Sequence, residues 1–177
     1  MTEPTTNSLP PLTLVLGGAR SGKSRYAEGL LADWSGTRIY LATAEAGDAE
    51  MQARIRHHRE RRGEAWMTVE EPLELAAALV REAQGGRAVL VDCLTLWLSN
   101  ITLAERDIEA EAAALIAALG RCAGPIVLVS NEVGQGIVPE NPLARRFRDD
   151  AGRLHQEVAR VADRVVLVTA GLAQILK

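Results

Sequence analysis

One stretch of the chain carries chemistry that can be read from spacing alone. Residues Gly17-Gly18-Ala19-Arg20-Ser21-Gly22-Lys23-Ser24 fit the pattern G-x-x-x-x-G-K-[ST]. Glycines let the backbone turn tightly, so that successive N–H groups point at phosphate oxygens. A helix starting at the end of such a loop adds the positive end of its dipole. Lys23 then reaches the β- and γ-phosphates of a nucleoside triphosphate, and the Ser24 hydroxyl becomes a ligand for Mg²⁺. Lysine usage agrees: Lys and Arg together number 20, yet only Lys23 and Lys177 are lysine. A chain that otherwise prefers Arg keeps Lys where a compact point charge is wanted.

A second candidate is the pair His57-His58, set in Met51-Gln52-Ala53-Arg54-Ile55-Arg56-His57-His58-Arg59-Glu60-Arg61-Arg62. On a helix, Met51, Ile55 and His58 share a face, and His57 points about 100° away. Histidine is a competent nucleophile toward phosphorus, and neighbouring arginines balance the charge of an attached phosphate. The alternative is a solvated, arginine-rich helix face. Zinc is disfavoured, because adjacent histidines diverge and no further ligands cluster nearby.

These groups need a scaffold, and the hydrophobic pattern supplies one. Leu12–Leu16 is a short apolar run ending in glycines, the mark of a buried strand. After it Ala27, Leu30, Leu31 and Trp34 recur at helical spacing. Arg38–Ala42, Ala88–Cys93, Pro125–Ser130 and Arg164–Thr169 read as further strands. Helices are predicted over Ala49–Arg62, Pro72–Ala83, Glu105–Leu119 and Asn141–Asp163. Apolar strands alternating with amphipathic helices predict an α/β fold, a mostly parallel sheet with helices on both faces. A P-loop also needs an acidic group at a nearby strand end to organise the metal. Asp92 is the candidate, with helix capping as its other reading.

With 177 residues the chain is read as one catalytic domain over residues 12–177, preceded by a polar, proline-rich, flexible tail over residues 1–11. That tail has no apolar core and is not a signal peptide. No apolar run reaches the roughly 20 residues needed to span a bilayer, so the expected location is cytoplasmic. A net charge of -3 and the absence of a basic tract argue against nucleic acid as a partner. Cys93 and Cys122 stand in no metal-ligand spacing and are expected to be reduced and buried.

Several segments together carry a more specific signal. GGARSGKSRYAE (17–28), IYLATAEAGDAEMQARIRHHRERR (39–62), VLVDCLTLWLSN (89–100) and VSNEVGQGIVPENPLARRFRDDAGRLHQ (129–156) resemble the bifunctional adenosylcobinamide kinase / adenosylcobinamide-phosphate guanylyltransferase family. The resemblance implies two reactions. ATP or GTP phosphorylates adenosylcobinamide, and GTP then donates GMP to the resulting phosphate through a histidine adduct, releasing pyrophosphate. It places the adduct on His57 and assigns the nucleotide site to Gly17 through Ser24, Ala42, Thr43, Ala44, His58, Arg59, Glu60, Arg61, Glu70 and Asp92, with Ser24 and Asp92 as metal ligands. It also implies a homotrimer. The family pattern carries Glu where Asp92 stands and Ser where Ala44 stands.

The remaining conspicuous residues have plainer readings. Gly134-Gln135-Gly136 reads as a loop, since no helix follows directly. Arg145, Arg146 and Arg148 read as a solvated helix face or as contacts to a substrate phosphate. Glu132 follows a strand and is either solvated or turned to the site. Trp34, Trp66 and Trp97 read as core or interface. The runner-up function is a single-function P-loop small-molecule kinase, which leaves His57 idle. A regulatory GTPase is disfavoured, because no Asn-Lys-x-Asp motif is present and Asn131 is followed by Glu132.

Overall fold

The structure is a computed structural model and describes residues 9–44 and 65–177. The helix predicted over Ala49–Arg62, with both histidines of the pair, lies outside the described residues. Seven strands form one sheet: β1 (Leu12–Gly17), β2 (Thr37–Ala42), β3 (Met67–Glu70), β4 (Arg87–Asp92), β5 (Ile126–Asn131), β6 (Arg164–Thr169) and β7 (Leu172–Ile175). Their order is β3-β2-β4-β5-β1-β6-β7. Every pairing is parallel except β6 with β7. Helices α1 (Lys23–Leu30), α2 (Leu75–Glu82), α3 (Leu94–Leu103), α4 (Ile108–Leu119) and α5 (Pro142–Val161) connect them.

Interior strands such as LTLVLG and IVLVSN are buried on both sides, as expected where helices cover both faces of a parallel sheet. One core packs Leu14, Leu41, Val91 and Leu128 under α2 to α5. The other packs Val15, Tyr40, Leu90 and Val129 under α1. Helix starts follow local chemistry. The Asn141 side chain accepts from Leu143 N–H and Ala144 N–H, with Pro142 in the first turn, and Asp107 accepts from Ala110 N–H.

The sequence expectations differ from the fold in instructive ways. Helix α1 ends at Leu30, short of Trp34, and tight turns carry the stripe on: Leu31 N–H donates to Glu28, Ala32 N–H to Gly29 and Trp34 N–H to Leu31. Helix α2 opens at Leu75 instead of Pro72, because Glu71 Oε1 accepts from Leu73 N–H and Glu74 N–H and closes a turn first. Helix α3 was not anticipated: Leu94, Thr95, Trp97, Leu98 and Ile101 are all buried, so it shows little amphipathic period. Strands β3 and β7 were also missed, being four-residue edge strands without a fully buried face. Residues 9–11 are docked: Leu9 packs on the α1 side and Ile126 N–H donates to the Pro11 carbonyl at 2.8 Å. Cys93 is buried as expected, but Cys122 is only half-buried; both are free thiols.

Close backbone contact at the far end of the sheet gives a stability prediction. A Cβ on Gly124 would sit 1.9 Å from the Arg87 carbonyl oxygen and 2.9 Å from that of Gln84. Neither backbone atom can swing aside, so Gly124→Ala should cost about 2 kcal/mol, as overpacking does. Thermal unfolding should then show a midpoint lowered by about 4–8 °C.

Candidate active site

The phosphate loop is built where β1 runs out at the C-terminal edge of the sheet. Arg20 (φ 55°) and Gly22 (φ 96°) are left-handed, which curls the loop back onto the start of α1. Gly17 admits no side chain: a Cβ there would lie 2.4 Å from Ser21 Oγ and 2.6 Å from the Val168 carbonyl oxygen. The β6–β7 turn braces the loop from the side, with Gly171 N–H donating to the Ser21 carbonyl at 2.8 Å. Helix α1 has no acidic residue in its first turn, so its positive end is not neutralised by its own side chains. Lys23 Nζ donates to the Gly18 carbonyl at 3.1 Å, which folds the ammonium over the loop. Lys177 does comparable work elsewhere, donating to the Ala159, Arg160 and Ala162 carbonyls at the end of α5.

Asp92 ends β4, which β5 separates from β1. Its Oδ2 accepts from the Tyr40 hydroxyl at 2.9 Å, while Cys93 begins the turn into α3. The Asp92 carboxylate is thus held by the neighbouring strand. Asp92, with the Ser24 hydroxyl in the first turn of α1, supplies the oxygen groups at this edge that could hold a divalent cation. Tyr40→Phe would keep the edge-on ring contact with Trp66 and lose only the hydroxyl. If Asp92 holds Mg²⁺, the variant should need about tenfold more Mg²⁺ for half-maximal rate, the usual cost of freeing a metal ligand from its support.

Thr43 and Ala44 follow β2. The buried Thr43 hydroxyl donates to the Cys93 carbonyl at 2.7 Å and accepts from Cys93 N–H at 2.8 Å, and Asn100 donates to the Thr43 carbonyl. Ala42 is in register with Asp92 on one side and Glu70 on the other. The strand ends therefore bring Gly17, Ala42, Glu70 and Asp92 to one edge of the sheet. His57, His58, Arg59, Glu60 and Arg61 lie outside the described residues.

Other nucleophile candidates are accounted for. Burial, with the Asp92 charge, pushes the Cys93 thiol up to about 11, so it stays protonated near neutral pH. His155 is buried in α5, and burial lowers its pKa, with the Glu132 charge acting the other way. Its Nε2 is 2.7 Å from Ser130 Oγ, which is 3.0 Å from Thr95 Oγ1, and that oxygen accepts from Asn131 N–H. Sequence reading missed this chain, whose members are far apart along the sequence. Residues 132–141 form a loop, as expected. Arg145 donates to the Pro139 and Glu140 carbonyls and ties that loop to α5. Arg146 pairs with Asp150 and Arg148 with Asp149. Trp97 is core, Trp34 donates to the Gly86 carbonyl, and Trp66 packs between Tyr40 and Arg38.

A parallel sheet with this loop at the end of an interior strand, and a carboxylate two strands away, defines a P-loop nucleotide-binding fold. Solved structures agree on the fold. One is an ATPase from the type III secretion system of pathogenic bacteria, with TM-score 0.55 and 15% identity over 91% of this chain and 51% of that one. Another is the RadB recombinase, with TM-score 0.53 and 13% identity over 90% of this chain and 76% of that one. The chain thus spans about half the length of the secretion ATPase.

Within that class the chain belongs to the cobinamide kinase / cobinamide phosphate guanyltransferase family, whose pattern matches residues 13–176. The bifunctional adenosylcobalamin biosynthesis protein CobP of Pseudomonas aeruginosa is 53% identical over 93% of this chain and 96% of its own length. The corresponding protein CobU of Escherichia coli is 44% identical over 94% and 99%.

Proposed function

We propose that the chain phosphorylates adenosylcobinamide from ATP or GTP and then transfers GMP from GTP to adenosylcobinamide phosphate through a covalent adduct on His57. The observation that carries this reading is the pairing of the braced P-loop with membership in a bifunctional family. A P-loop alone accounts for one donor site but not for two different leaving groups.

The same loop serves both steps. In the kinase step Lys23 and the loop N–H groups hold the donor while an acceptor hydroxyl attacks the γ-phosphorus. In the guanylyl step they hold the β- and γ-phosphates as departing pyrophosphate, and His57 attacks the α-phosphorus. Ser24 and Asp92 would hold Mg²⁺, which would supply positive charge to the phosphates. His58, Arg59, Glu60 and Arg61 accompany the nucleophile, and Ala42 to Ala44 with Glu70 flank the nucleotide. Among the described residues neither Cys93 nor His155 is a free nucleophile, which supports placing the adduct on the histidine pair. A homotrimer in the cytoplasm, acting on small molecules without nucleic acid or membrane insertion, completes the proposal. Among the described residues no helix is long and apolar enough to cross a membrane.

The test uses GTP labelled at the α- or γ-phosphorus. After denaturation, α-label that stays on the protein, labile in acid and stable in base, is the expected result. Protein that retains no α-label while turning over cobinamide phosphate would sink the adduct.

A further inference from the structure

The two reactions of this family differ in proton count. Phosphorylating an alcohol releases the hydroxyl proton as the oxygen bonds to phosphorus. Guanylyl transfer onto cobinamide phosphate has a phosphate oxygen as its acceptor, already largely ionised near neutral pH. Only the kinase step therefore requires a proton acceptor. Lys23 is a cation, and Asp92 accepts from Tyr40 and is the carboxylate the proposed function gives to the metal.

The carboxylates at the C-terminal edge of the sheet can be taken in turn among the described residues. Glu70 ends β3, four strands from β1 in the sheet. Glu71 Oε1 accepts from Leu73 N–H and Glu74 N–H and caps the approach to α2. Glu132 follows β5, the strand between the P-loop strand and the Asp92 strand. Gly17 is in register with Asn131, so Glu132 stands beside Gly18, whose carbonyl receives Lys23. Its own N–H donates to the Gly17 carbonyl at 3.0 Å.

One oxygen of the side chain is held within its own loop. Glu132 Oε1 accepts from Gly134 N–H at 2.6 Å, which leaves Oε2 to take a proton. The strand end beneath it is fixed by the buried chain from Asn131 N–H through Thr95 and Ser130 to His155. A polar chain inside an apolar core is tolerated when its members satisfy one another, and here it anchors the residue that precedes Glu132.

We propose that Glu132 is the general base of the kinase step. Its Oε2 takes the proton of the acceptor hydroxyl as that oxygen bonds to the γ-phosphorus. The bond from the γ-phosphorus to the β–γ bridging oxygen breaks, and its electron pair leaves with the nucleoside diphosphate. The glutamic acid then returns its proton to solvent. This assignment rests on the kinase activity of the family and not on the His57 adduct.

Glu132→Gln is the test, because glutamine keeps the length and the oxygen that Gly134 N–H donates to but cannot take the proton. With γ-labelled GTP, label transfer to cobinamide should fall about 10²-fold or more in kcat, the usual contribution of a positioned base. With α-labelled GTP and supplied cobinamide phosphate, GMP transfer should continue near the wild-type rate. Glu132→Asp should recover part of the kinase rate. A kinase rate left near wild type in Glu132→Gln overturns the proposal. So does an equal loss of both reactions, which would make Glu132 only a brace for the P-loop. Wild-type protein that fails to phosphorylate cobinamide would instead sink the kinase reading itself.

Discussion

His57→Ala is expected to abolish guanylyl transfer while leaving phosphorylation of cobinamide near the wild-type rate. The loss should be on the order of 10³-fold or more in kcat, given what removal of a covalent nucleophile costs in other enzymes. The reason lies in the leaving groups. Phosphoryl transfer to a hydroxyl needs the donor held in line and its charge neutralised, which on the proposed reading the loop from Gly17 to Ser24 does without histidine. Moving GMP through two displacements needs a group that accepts it and releases it again, and an imidazole nitrogen does both. Label from α-labelled GTP should be absent from the denatured variant, while label from γ-labelled GTP still reaches cobinamide. A variant that transfers GMP at the wild-type rate would leave His57 without a part in the reaction.

Much of the scaffold was legible in the sequence because its signals are local. The buried strands around Leu14, Val89 and Val127 are short apolar runs, and the P-loop is eight consecutive residues whose types state their chemistry. Asn141 and Pro142 likewise marked the start of α5 within two positions. What the sequence hid is set by register between distant segments. Tyr40 meets Asp92 across 52 positions, and Gly171 reaches Ser21 only because the β6–β7 turn folds beside the loop. Neither pair has a spacing that a periodic pattern could report. Helix α3 was hidden for a different reason: with so many of its residues buried, it shows no contrast between a wet face and a dry one. Glu132 illustrates both limits. Its place after a strand was visible, but its bond to Gly17 came only from the pairing of β5 with β1, and the buried chain from Asn131 to His155 only from α3 and α5 packing on β5.

Lys23→Met is expected to depress both reactions by a similar factor, about 10²–10³-fold in kcat/KM, the range seen when one electrostatic stabiliser of a transition state is removed. Methionine has comparable length and leaves the loop filled, so the effect measures the charge. Lys23→Arg should not rescue it. The guanidinium is a planar fork rather than a compact point charge, and the loop has little room to adjust: Gly17 stands against the Val168 carbonyl, and a Cβ on Gly22 would come within 3.2 Å of Gly171 Cα. Both rates should be measured on one preparation, with γ-labelled GTP and cobinamide for one and α-labelled GTP and cobinamide phosphate for the other. Equal losses mean that one phosphate cradle serves two attacks, at the γ-phosphorus and at the α-phosphorus. A loss confined to the kinase step would mean that the triphosphate shifts out of the P-loop when GMP is transferred. Set beside His57→Ala and Glu132→Gln, the three variants separate what the reactions share from what each requires. On the proposed reading the shared part is the braced loop, which would hold phosphate wherever the bond breaks, and the separate parts are a nucleophile for the α-phosphorus and a proton acceptor for the hydroxyl that attacks the γ-phosphorus.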